Sequence, residues 1–319
     1  MNVAAGNHSI GTWAAAVFAL LTVFVALPGS APAGQRSTAE NSAQVLRGTI
    51  DIHVHSDPDN VPRSIDGIDV AKLARSKGMR GIVLKNHYES TAGLAFLARK
   101  EASGLEAFGG IDLNLTVGGM NPVAVEHMTQ VAGGWGRIVW MSTFDAENQV
   151  RYSKENRPFV GVARNGELLP DTKAVISVIA RHGLVLATGH VSSREALMLL
   201  REARQQGVQH MVVTHAINAP ILMDVQQMQE ATRLGAFIEF AGSTLANADA
   251  AARIDRFADA IRKVGPQFCI LSSDLGQKGN PLPPDGFGEF LAAMRARGFT
   301  EQEIDRMSKQ NPARLLGLP

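Results

Sequence analysis

Short apolar segments alternate with amphipathic ones along most of the chain. Eight of the apolar segments are rich in Val, Ile or Leu and end in polar residues, which is typical of strands. Most are apolar at every position and not at every second one, as expected for parallel strands that are buried on both faces. The predicted strands are residues 48–55, 81–85, 106–112, 137–143, 184–190, 210–215, 236–240 and 268–274.

The segments between these strands have the 3.6-residue period of helices, and glycines mark their ends. Ser192-x-x-Glu195 and Thr300-x-x-Glu303 are capping boxes, which start helices. The predicted helices are residues 69–77, 172–181, 192–206, 223–233 and 250–263, with a terminal helix from residue 300. Strand and helix alternating eight times predict an α/β fold, a (β/α)8 TIM-type barrel in a single domain. A doubly wound open sheet is the alternative, but no Gly-rich phosphate loop follows the first strand, which counts against its nucleotide-binding form.

The first 33 residues predict a secretory signal peptide. No charged residue precedes Arg36, residues 12–27 are a nearly continuous apolar run, and Ala31-Pro32-Ala33 is a small-x-small cleavage pattern. An uncleaved anchor is the alternative, although the run is shorter than the roughly 20 residues of a membrane-spanning helix. We expect a mature chain that starts near Gly34, has no stable membrane insertion, and is secreted or periplasmic. The predicted division is residues 1–33 as signal, 34–47 as linker and 48–319 as barrel.

Composition narrows the class of partner. The chain has 31 basic and 30 acidic residues, a net charge of +1 and 45% hydrophobic residues. It can therefore bury a large core, and it lacks the basic excess of proteins that bind nucleic acid or anionic membranes. The single cysteine, Cys269, excludes an intramolecular disulfide and a Cys-rich zinc module. We expect a small-molecule substrate as the partner, and the sequence does not decide between a monomer and a homo-oligomer.

Polar residues at the predicted strand ends indicate a metal site, because the chemistry of such a barrel lies at the carboxyl ends of its strands. These ends carry His53, His55, Lys85, His87, His190, His215 and Asp274. His53 and His55 point to the same face of one strand, about 6.6 Å apart along the chain. With Asp274 they predict a site for a divalent ion, zinc first and Mn, Fe or Ni as alternatives. His190 and His215 complete this site or hold a second ion.

The chain resembles the amidohydrolase superfamily of metal-dependent hydrolases over residues 48–318. The resemblance is carried by Asp51-Ile-His53-Val-His55, Thr188-Gly-His190-Val191, Val213-Thr-His215-Ala216, Ser272-Ser-Asp274 and Asn311-Pro-Ala-Arg-Leu-Leu-Gly317. It implies that His53, His55 and Asp274 hold the first metal and that Asp274 is also the general acid and base. It implies further that His190 and His215 hold a second metal, or orient the substrate in a one-metal site.

One departure from the superfamily concerns the bridge between two ions. Members with two metals usually bridge them with a carboxylated lysine or a glutamate from the fourth strand, and this chain has neither there. It has Lys85 at the end of the second strand, in a Lys-x-His pattern similar to that of an uncharacterised amidohydrolase-like family. One hypothesis is that Lys85 is carboxylated, serves as a metal ligand and takes part in catalysis. The other is that Lys85 is a free ammonium that binds an anionic group of the substrate.

These features predict a metal-dependent hydrolase that cleaves an amide, lactone, ester or related bond of a small molecule with a metal-activated water. The substrate-binding candidates are His87, Arg63, Asn114 and Asn218, all predicted to follow strand ends. A decarboxylase or other lyase with a single metal on the same barrel is the first alternative. A non-catalytic binding barrel is the second, although all five core ligand positions are present in the chain.

Overall fold

The computed structural model describes residues 45–319, and its centre is a sheet of eight parallel strands. Their order in the sheet is β1-β2-β3-β4-β7-β8-β9-β10. The ten strands of the structure are β1 Ile50–Val54, β2 Gly81–Leu84, β3 Glu106–Asp112, β4 Gly136–Trp140, β5 Ala163–Arg164, β6 Glu167–Leu168, β7 Val185–Ala187, β8 His210–Val213, β9 Phe237–Ala241 and β10 Cys269–Ser272.

The first and last strands of the sheet meet, so the sheet is a nearly closed barrel. Val54 and Leu275 form a parallel bridge, the His55 amide donates to the Leu275 carbonyl (2.8 Å), and the Asp274 amide donates to the His53 carbonyl (2.9 Å). Each barrel strand pairs with the next barrel strand along the chain, without the change of direction that defines a doubly wound sheet. The predicted TIM-type barrel is confirmed.

Helices follow the strands and cover the outside of the barrel. They are α1 Gly67–Ser76, α2 Ala92–Glu101, α3 Pro122–Gln130, α4 Glu147–Tyr152, α5 Pro170–Arg181, α6 Ser193–Gln205, α7 Val225–Arg233, α8 Ala250–Val264, α9 Pro283–Ala296, α10 Glu301–Asp305 and α11 Asn311–Leu315. Both predicted capping boxes are present, at Ser192 and at Thr300. A short π-helical turn, Arg306–Gln310, joins α10 to α11. Among residues 45–319, no helix has both the length and the apolar character needed to cross a membrane.

The barrel is closed at its amino-terminal end by apolar packing. Buried side chains from strands all around the barrel contact the carboxy-terminal segment, so this cluster lies inside the barrel. Its members include Ile50, Ile52, Val83, Phe108, Ile138, Trp140, Val185, Val212, Ile270 and Leu315. A larger buried cluster lies between the strands and the helices. The apolar plug leaves the opposite end of the barrel for polar side chains.

The predicted strands are all present, but several are shorter at their carboxyl ends. The strand predicted at 184–190 ends at Ala187, and the one predicted at 268–274 ends at Ser272. The chain leaves the sheet there, and His215 and Asp274 have left-handed φ angles of 24° and 50°. The polar residues predicted as strand ends therefore lie in the first residues of the following loops, which is where a barrel of this type places its chemistry.

Other boundaries differ from the sequence predictions or lie outside the described residues. The hairpin of β5 and β6 was not predicted, because its strands have only two residues each. Its signal was the turn Asn165-Gly166, whose φ angles are 52° and 84°, as a tight hairpin requires. Leu46 is fully buried, so packed structure begins before residue 48. The predicted signal peptide, residues 1–33, and residues 34–44 of the predicted linker lie outside the described residues.

Candidate metal centre

Three predicted ligands converge where β1 and β10 meet. The Nε2 atoms of His53 and His55 lie 3.1 and 3.2 Å from the same atom, Oδ1 of Asp274. Each of the three residues offers a donor atom within 4.8 Å of the other two. Both imidazoles are buried, and the Asp274 side chain is 18% exposed. The carboxylate of Asp274 is thus the part of this group that solvent reaches most, while the two imidazoles are enclosed by the barrel.

Glu239, on β9, contacts His53 on the side of the ring opposite Asp274. Its Oε1 lies 2.9 Å from Nδ1 of His53 and accepts from the Ser272 hydroxyl at 2.7 Å, while Oε2 accepts from the His215 amide at 3.0 Å. A carboxylate can only accept, so His53 carries its proton on Nδ1 and presents the lone pair of Nε2. Glu239 therefore sets the tautomer of His53 and fixes the loop that carries His215, as carboxylates do behind metal-binding histidines.

His190 and His215 form a second pair of imidazoles. Their Nε2 atoms are 3.2 Å apart, and Nδ1 of His190 lies 2.9 Å from the Oε1 atom of Gln149. The neighbouring Asn148 donates to the carbonyls of His190 and Pro220, both at 3.0 Å. The rings of His53 and His215 stack with centroids 6.0 Å apart, so the pair adjoins the first group. Helix α4 thus positions His190 through two successive side chains.

Burial and nearby charges set the protonation of these groups. Desolvation lowers the pKa of His55 to about 3, and it also lowers the pKa values of His190 and His215. Burial opposes ionisation of Asp274, but the imidazoles around it hold its pKa well below the usual value. Burial also acts to lower the pKa of His53, yet the Asp274 and Glu239 carboxylates outweigh it and raise that pKa. His55, His190 and His215 are therefore neutral and Asp274 is ionised, which are the forms that bind a metal, while at Nε2 of His53, whose pKa is raised, a metal ion would compete with a proton.

The donor set fits a divalent ion. In a tetrahedral site with bonds of about 2.0–2.1 Å, ligand atoms are separated by about 3.3 Å. The separations of Asp274 Oδ1 from the Nε2 atoms of His53 and His55, 3.1 and 3.2 Å, are close to that value, and so is the 3.2 Å between the Nε2 atoms of His190 and His215. Within residues 45–319, the buried Nδ1 atoms of His55 and His215 have no hydrogen-bond partner. No hydrogen bond at Nδ1 therefore fixes the orientation of either ring.

A second charged cluster lies across the barrel mouth, at the ends of β2 and β3. Nζ of Lys85 is 2.8 Å from Oδ2 of Asp112 and 3.4 Å from Nδ1 of His87, and all three residues are buried. The same His87 nitrogen lies 2.9 Å from the Thr143 hydroxyl oxygen, and the one proton of that hydroxyl is donated to Asp112. The rings of His55 and His87 stack with centroids 4.8 Å apart, so the cluster borders the metal candidates.

The backbone at Asp274 and at Gly276 has positive φ angles, which restrict the side chains that these two positions accept. Asp274 itself has a φ of 50°, and its Oδ2 accepts from the Ser243 hydroxyl at 2.9 Å. Gly276 has a φ of 128°, and a Cβ there would lie 2.0 Å from the carbonyl oxygen of His55. The loop after β10 thus needs a glycine in order to pass this close to β1.

The surroundings of the imidazoles suit an organic ligand. The half-buried ring of Phe144 packs on His87 with centroids 3.9 Å apart and on His190 with centroids 5.8 Å apart. A cavity of about 680 Å³ lies between α4, the β5–β6 hairpin and the start of α6; none of the candidate ligands lines it, and its lining residue Asn148 donates to the His190 carbonyl. This volume lies in the range of small-molecule sites.

Three predicted substrate contacts are engaged elsewhere or peripheral. Arg63 pairs with Asp59, to which its Nε donates at 2.7 Å, so part of its guanidinium is engaged by a neighbouring carboxylate. Asn114 is fully buried, and its amide donates to the His87 carbonyl and the Thr143 hydroxyl at 2.6 and 2.8 Å. Both protons of its amide nitrogen are in use and fix two loops, and the substrate role of Asn114 stays a prediction. Asn218 lies in the tight turn that follows His215.

Several side chains of the site were not predicted as site residues. Asp112 ends β3, so the strand-end rule that selects Lys85 could have found it. Gln149, Thr143 and Phe144 lie in or after the loop that follows β4, and nothing in their local sequence pattern marks them. Their roles follow from the path of that loop over the barrel mouth.

The family comparison covers most of the barrel. A family model described as "Family of unknown function (DUF6282)" matches residues 48–239. The chain belongs to the DUF6282 family. The matched part of this DUF6282 protein includes Lys85, four candidate histidine ligands and Glu239, and it ends before β10 and Asp274. No protein with a curated description matches the sequence.

Solved structures that resemble this DUF6282 protein are members of the amidohydrolase superfamily, in line with the resemblance seen in the sequence. An amidohydrolase from Pseudomonas aeruginosa is 13% identical, with a TM-score of 0.57 over 87% of this chain and 97% of that one. An organophosphorus hydrolase from Deinococcus radiodurans is 18% identical, with a TM-score of 0.58 over 86% and 94%. A 2,6-dihydroxybenzoate decarboxylase from Rhizobium is 14% identical, with a TM-score of 0.52 over 85% and 99%. At these identities the likeness shows the fold.

Proposed function

We propose that this protein is a metal-dependent hydrolase that cleaves an amide, lactone, ester or related bond of a small molecule. The observation that supports the proposal is the convergence of His53, His55 and Asp274 at the barrel mouth, with spacings that suit one divalent ion. When bound there, such an ion, for which zinc is our first choice, lowers the pKa of a coordinated water toward about 7 and polarises the bond to be cleaved.

The protein side chains would have separate tasks. His53 and His55 would hold the ion through Nε2, and Glu239 keeps the proton of His53 on Nδ1. Asp274 would hold the ion through Oδ1, and the Ser243 hydroxyl donates to its Oδ2 at 2.9 Å. That second oxygen is placed to accept the proton of the attacking water and to return it to the leaving group as general acid. His190 and His215 then hold a second ion or orient the substrate, and Phe144 supplies an apolar wall beside His87.

The first experiment combines elemental analysis with a screen of lactones, N-acyl amides, esters and cyclic amides. We expect at least one divalent ion per chain, loss of turnover with a chelator, and recovery with Zn²⁺ or Mn²⁺. Turnover that survives complete removal of the metal would contradict the proposal.

A substitution then tests the role of Asp274. Asp274→Asn should lower kcat by about 10²–10⁴-fold, the usual contribution of a general acid or base, with little change in folding. Asp285→Asn is the matched control, because Asp285 pairs with Lys77 on the outside of the barrel at 2.6 Å. The control should keep wild-type turnover. An Asp274→Asn variant with wild-type kcat would remove the residue from the mechanism.

A single-metal decarboxylase or lyase is the second candidate function. Two observations favour it: the fourth strand supplies no lysine or glutamate bridge, and His53, His55 and Asp274 form a three-ligand group without His190 or His215. Metal content separates the candidates in part, since two ions per chain favour hydrolysis and one is compatible with both. Release of CO₂ from an aromatic or unsaturated carboxylic acid, without hydrolysis of the screened bonds, would establish the second candidate.

We also propose that the enzyme acts outside the cytoplasm, on the strength of the signal peptide predicted at residues 1–33. Amino-terminal sequencing of the protein from its native host should give a chain that starts near Gly34. A start at Met1 would indicate the uncleaved form.

A further inference from the structure

We propose that Lys85 is a fixed ammonium group that binds a carboxylate of the substrate, and that it is not a carboxylated ligand between two ions. The inference deepens the proposed function, on which it rests, by assigning the substrate an anionic group.

The position of Lys85 places a charge inside the candidate site. Lys85 follows β2 directly, is 1% exposed, and stacks its ammonium over the Trp140 ring at 5.3 Å from the centroid. Its Nζ lies 3.4 Å from Nδ1 of His87, and the ring centroid of His87 lies 4.8 Å from that of His55 and 6.4 Å from that of His190. The charge of Lys85 therefore lies beside the imidazoles of the candidate site, with the His87 ring between.

The partners of Lys85 favour the positive form. A buried ammonium is retained only with a counter-charge, and Asp112 supplies one at 2.8 Å from Nζ. Carboxylation would place a second anion beside the Asp112 carboxylate, at a distance where like charges repel strongly in a buried site. It would also remove the only cation that contacts Asp112 among residues 45–319. The aromatic face of Trp140 likewise stabilises a cation and not an anion.

The hydrogen-bonding capacity of Lys85 leaves room for a ligand. An ammonium has three N–H donors, and within the described chain Nζ contacts the Asp112 carboxylate and the His87 ring nitrogen. At least one donor therefore remains for a group in the mouth. A carboxylate oxygen suits this donor, because a charge-assisted hydrogen bond in a buried site is about twice as strong as a neutral one.

The first test asks whether Lys85 carries a carboxyl group. Metal-loaded wild-type protein and Lys85→Met are equilibrated with ¹³C-bicarbonate, and ¹³C NMR is used to look for a protein-bound carbamate. We expect no carbamate signal that depends on Lys85, and a metal content that does not change with bicarbonate. A signal present in the wild type and missing in Lys85→Met would overturn the proposal.

The second test measures carboxylate binding by calorimetry, with benzoate titrated into metal-loaded protein. Losing a hydrogen bond between charged groups, about 1.5–3 kcal/mol, weakens binding by about 10- to 100-fold, and we expect this for Lys85→Met. Lys85→Arg should recover part of the affinity. Lys278→Met is the matched control, since it removes the same charge from an exposed residue of the loop after β10 and should bind benzoate as the wild type does. Equal affinity in Lys85→Met and wild type would overturn the proposal.

Two further points keep the outcome interpretable. Lys85→Met leaves a buried Asp112 charge without its partner and can fail to fold, so the double variant Lys85→Met/Asp112→Asn, which removes both charges, is measured beside it. Inorganic phosphate is titrated as a second anion: phosphate binding that exceeds benzoate binding and depends on Lys85 would overturn the choice of carboxylate. Wild-type protein that holds no metal would contradict the proposed function, whereas metal-loaded protein with Lys85-independent benzoate binding would contradict this inference alone.

Discussion

Replacing Glu239 by Gln separates the charge of this side chain from its shape. In the structure one oxygen lies 2.9 Å from Nδ1 of His53 and accepts from the Ser272 hydroxyl, and the other accepts from the His215 amide at 3.0 Å. A glutamine keeps one acceptor oxygen and puts an NH₂ group at the other position. If the NH₂ faces the His215 amide, two donors meet. If it faces His53, that ring must move its proton from Nδ1 to Nε2, the atom that would bind the metal.

Either arrangement weakens the metal centre and the fold. Removal of the carboxylate behind a metal-binding histidine lowers metal affinity by about 10- to 100-fold. A buried donor left without an acceptor costs about 1–3 kcal/mol, which should appear in the free energy of unfolding of the metal-free protein. Zinc affinity is measured by competition with a chromophoric chelator, and the free energy of unfolding by urea titration.

The control for this experiment is Glu126→Gln. Glu126 is a partly exposed carboxylate on α3 that pairs with Arg181 at 2.7 Å and with His182 at 2.8 Å, far from the barrel mouth in the fold. It should leave zinc affinity unchanged. If Glu239→Gln binds zinc as tightly as the wild type, the proposed link between Glu239 and the tautomer of His53 is wrong.

Two further predictions concern the loop after β10 and the cysteine. Gly276→Ala should lower the free energy of unfolding by about 3 kcal/mol or more, because its Cβ would lie 2.0 Å from the His55 carbonyl oxygen. Gly279→Ala, with a similar φ of 93° and open space around the Cβ, should cost about 1 kcal/mol, and equal losses in urea titrations of the two variants would refute the steric argument. The thiol of Cys269 is buried and donates to the Gly265 carbonyl, and burial raises its pKa. A thiol reagent should therefore modify it only after unfolding; rapid labelling of the native protein would show that β10 opens.

Sequence patterns predicted the scaffold, and they selected three side chains that the structure brings together, because both follow from simple periodic rules. All eight barrel strands were predicted, since buried parallel strands are apolar throughout and end in polar residues. His53, His55 and Asp274 could be selected as a group because the strand ends of a barrel lie on one rim. The rule needs no knowledge of the loops.

The loops determined the features that were not predicted. Gln149 contacts His190 from 41 residues away, and no local pattern encodes that contact. Asn114 lies at the rim, as the sequence suggests, but five hydrogen bonds to neighbouring loops use its amide group completely. Arg63 has a carboxylate, Asp59, four residues before it, and in the structure the two side chains form an ion pair. Such choices depend on the competition between partners and not on residue type alone.

The candidate ligands span the seam of the barrel, with His55 and Asp274 separated by 219 positions along the chain. An ion bound between them would act as a crosslink that closes one very long loop. The entropic cost of closing a loop rises with its length, so a link of this kind stabilises the barrel against opening between β1 and β10. The same side chains would then have two roles: they would hold the reactive ion at the rim, and they would link the first strand of the barrel to the loop after the last one. Loss of the ion would therefore lower the stability of the barrel as well as abolish its activity.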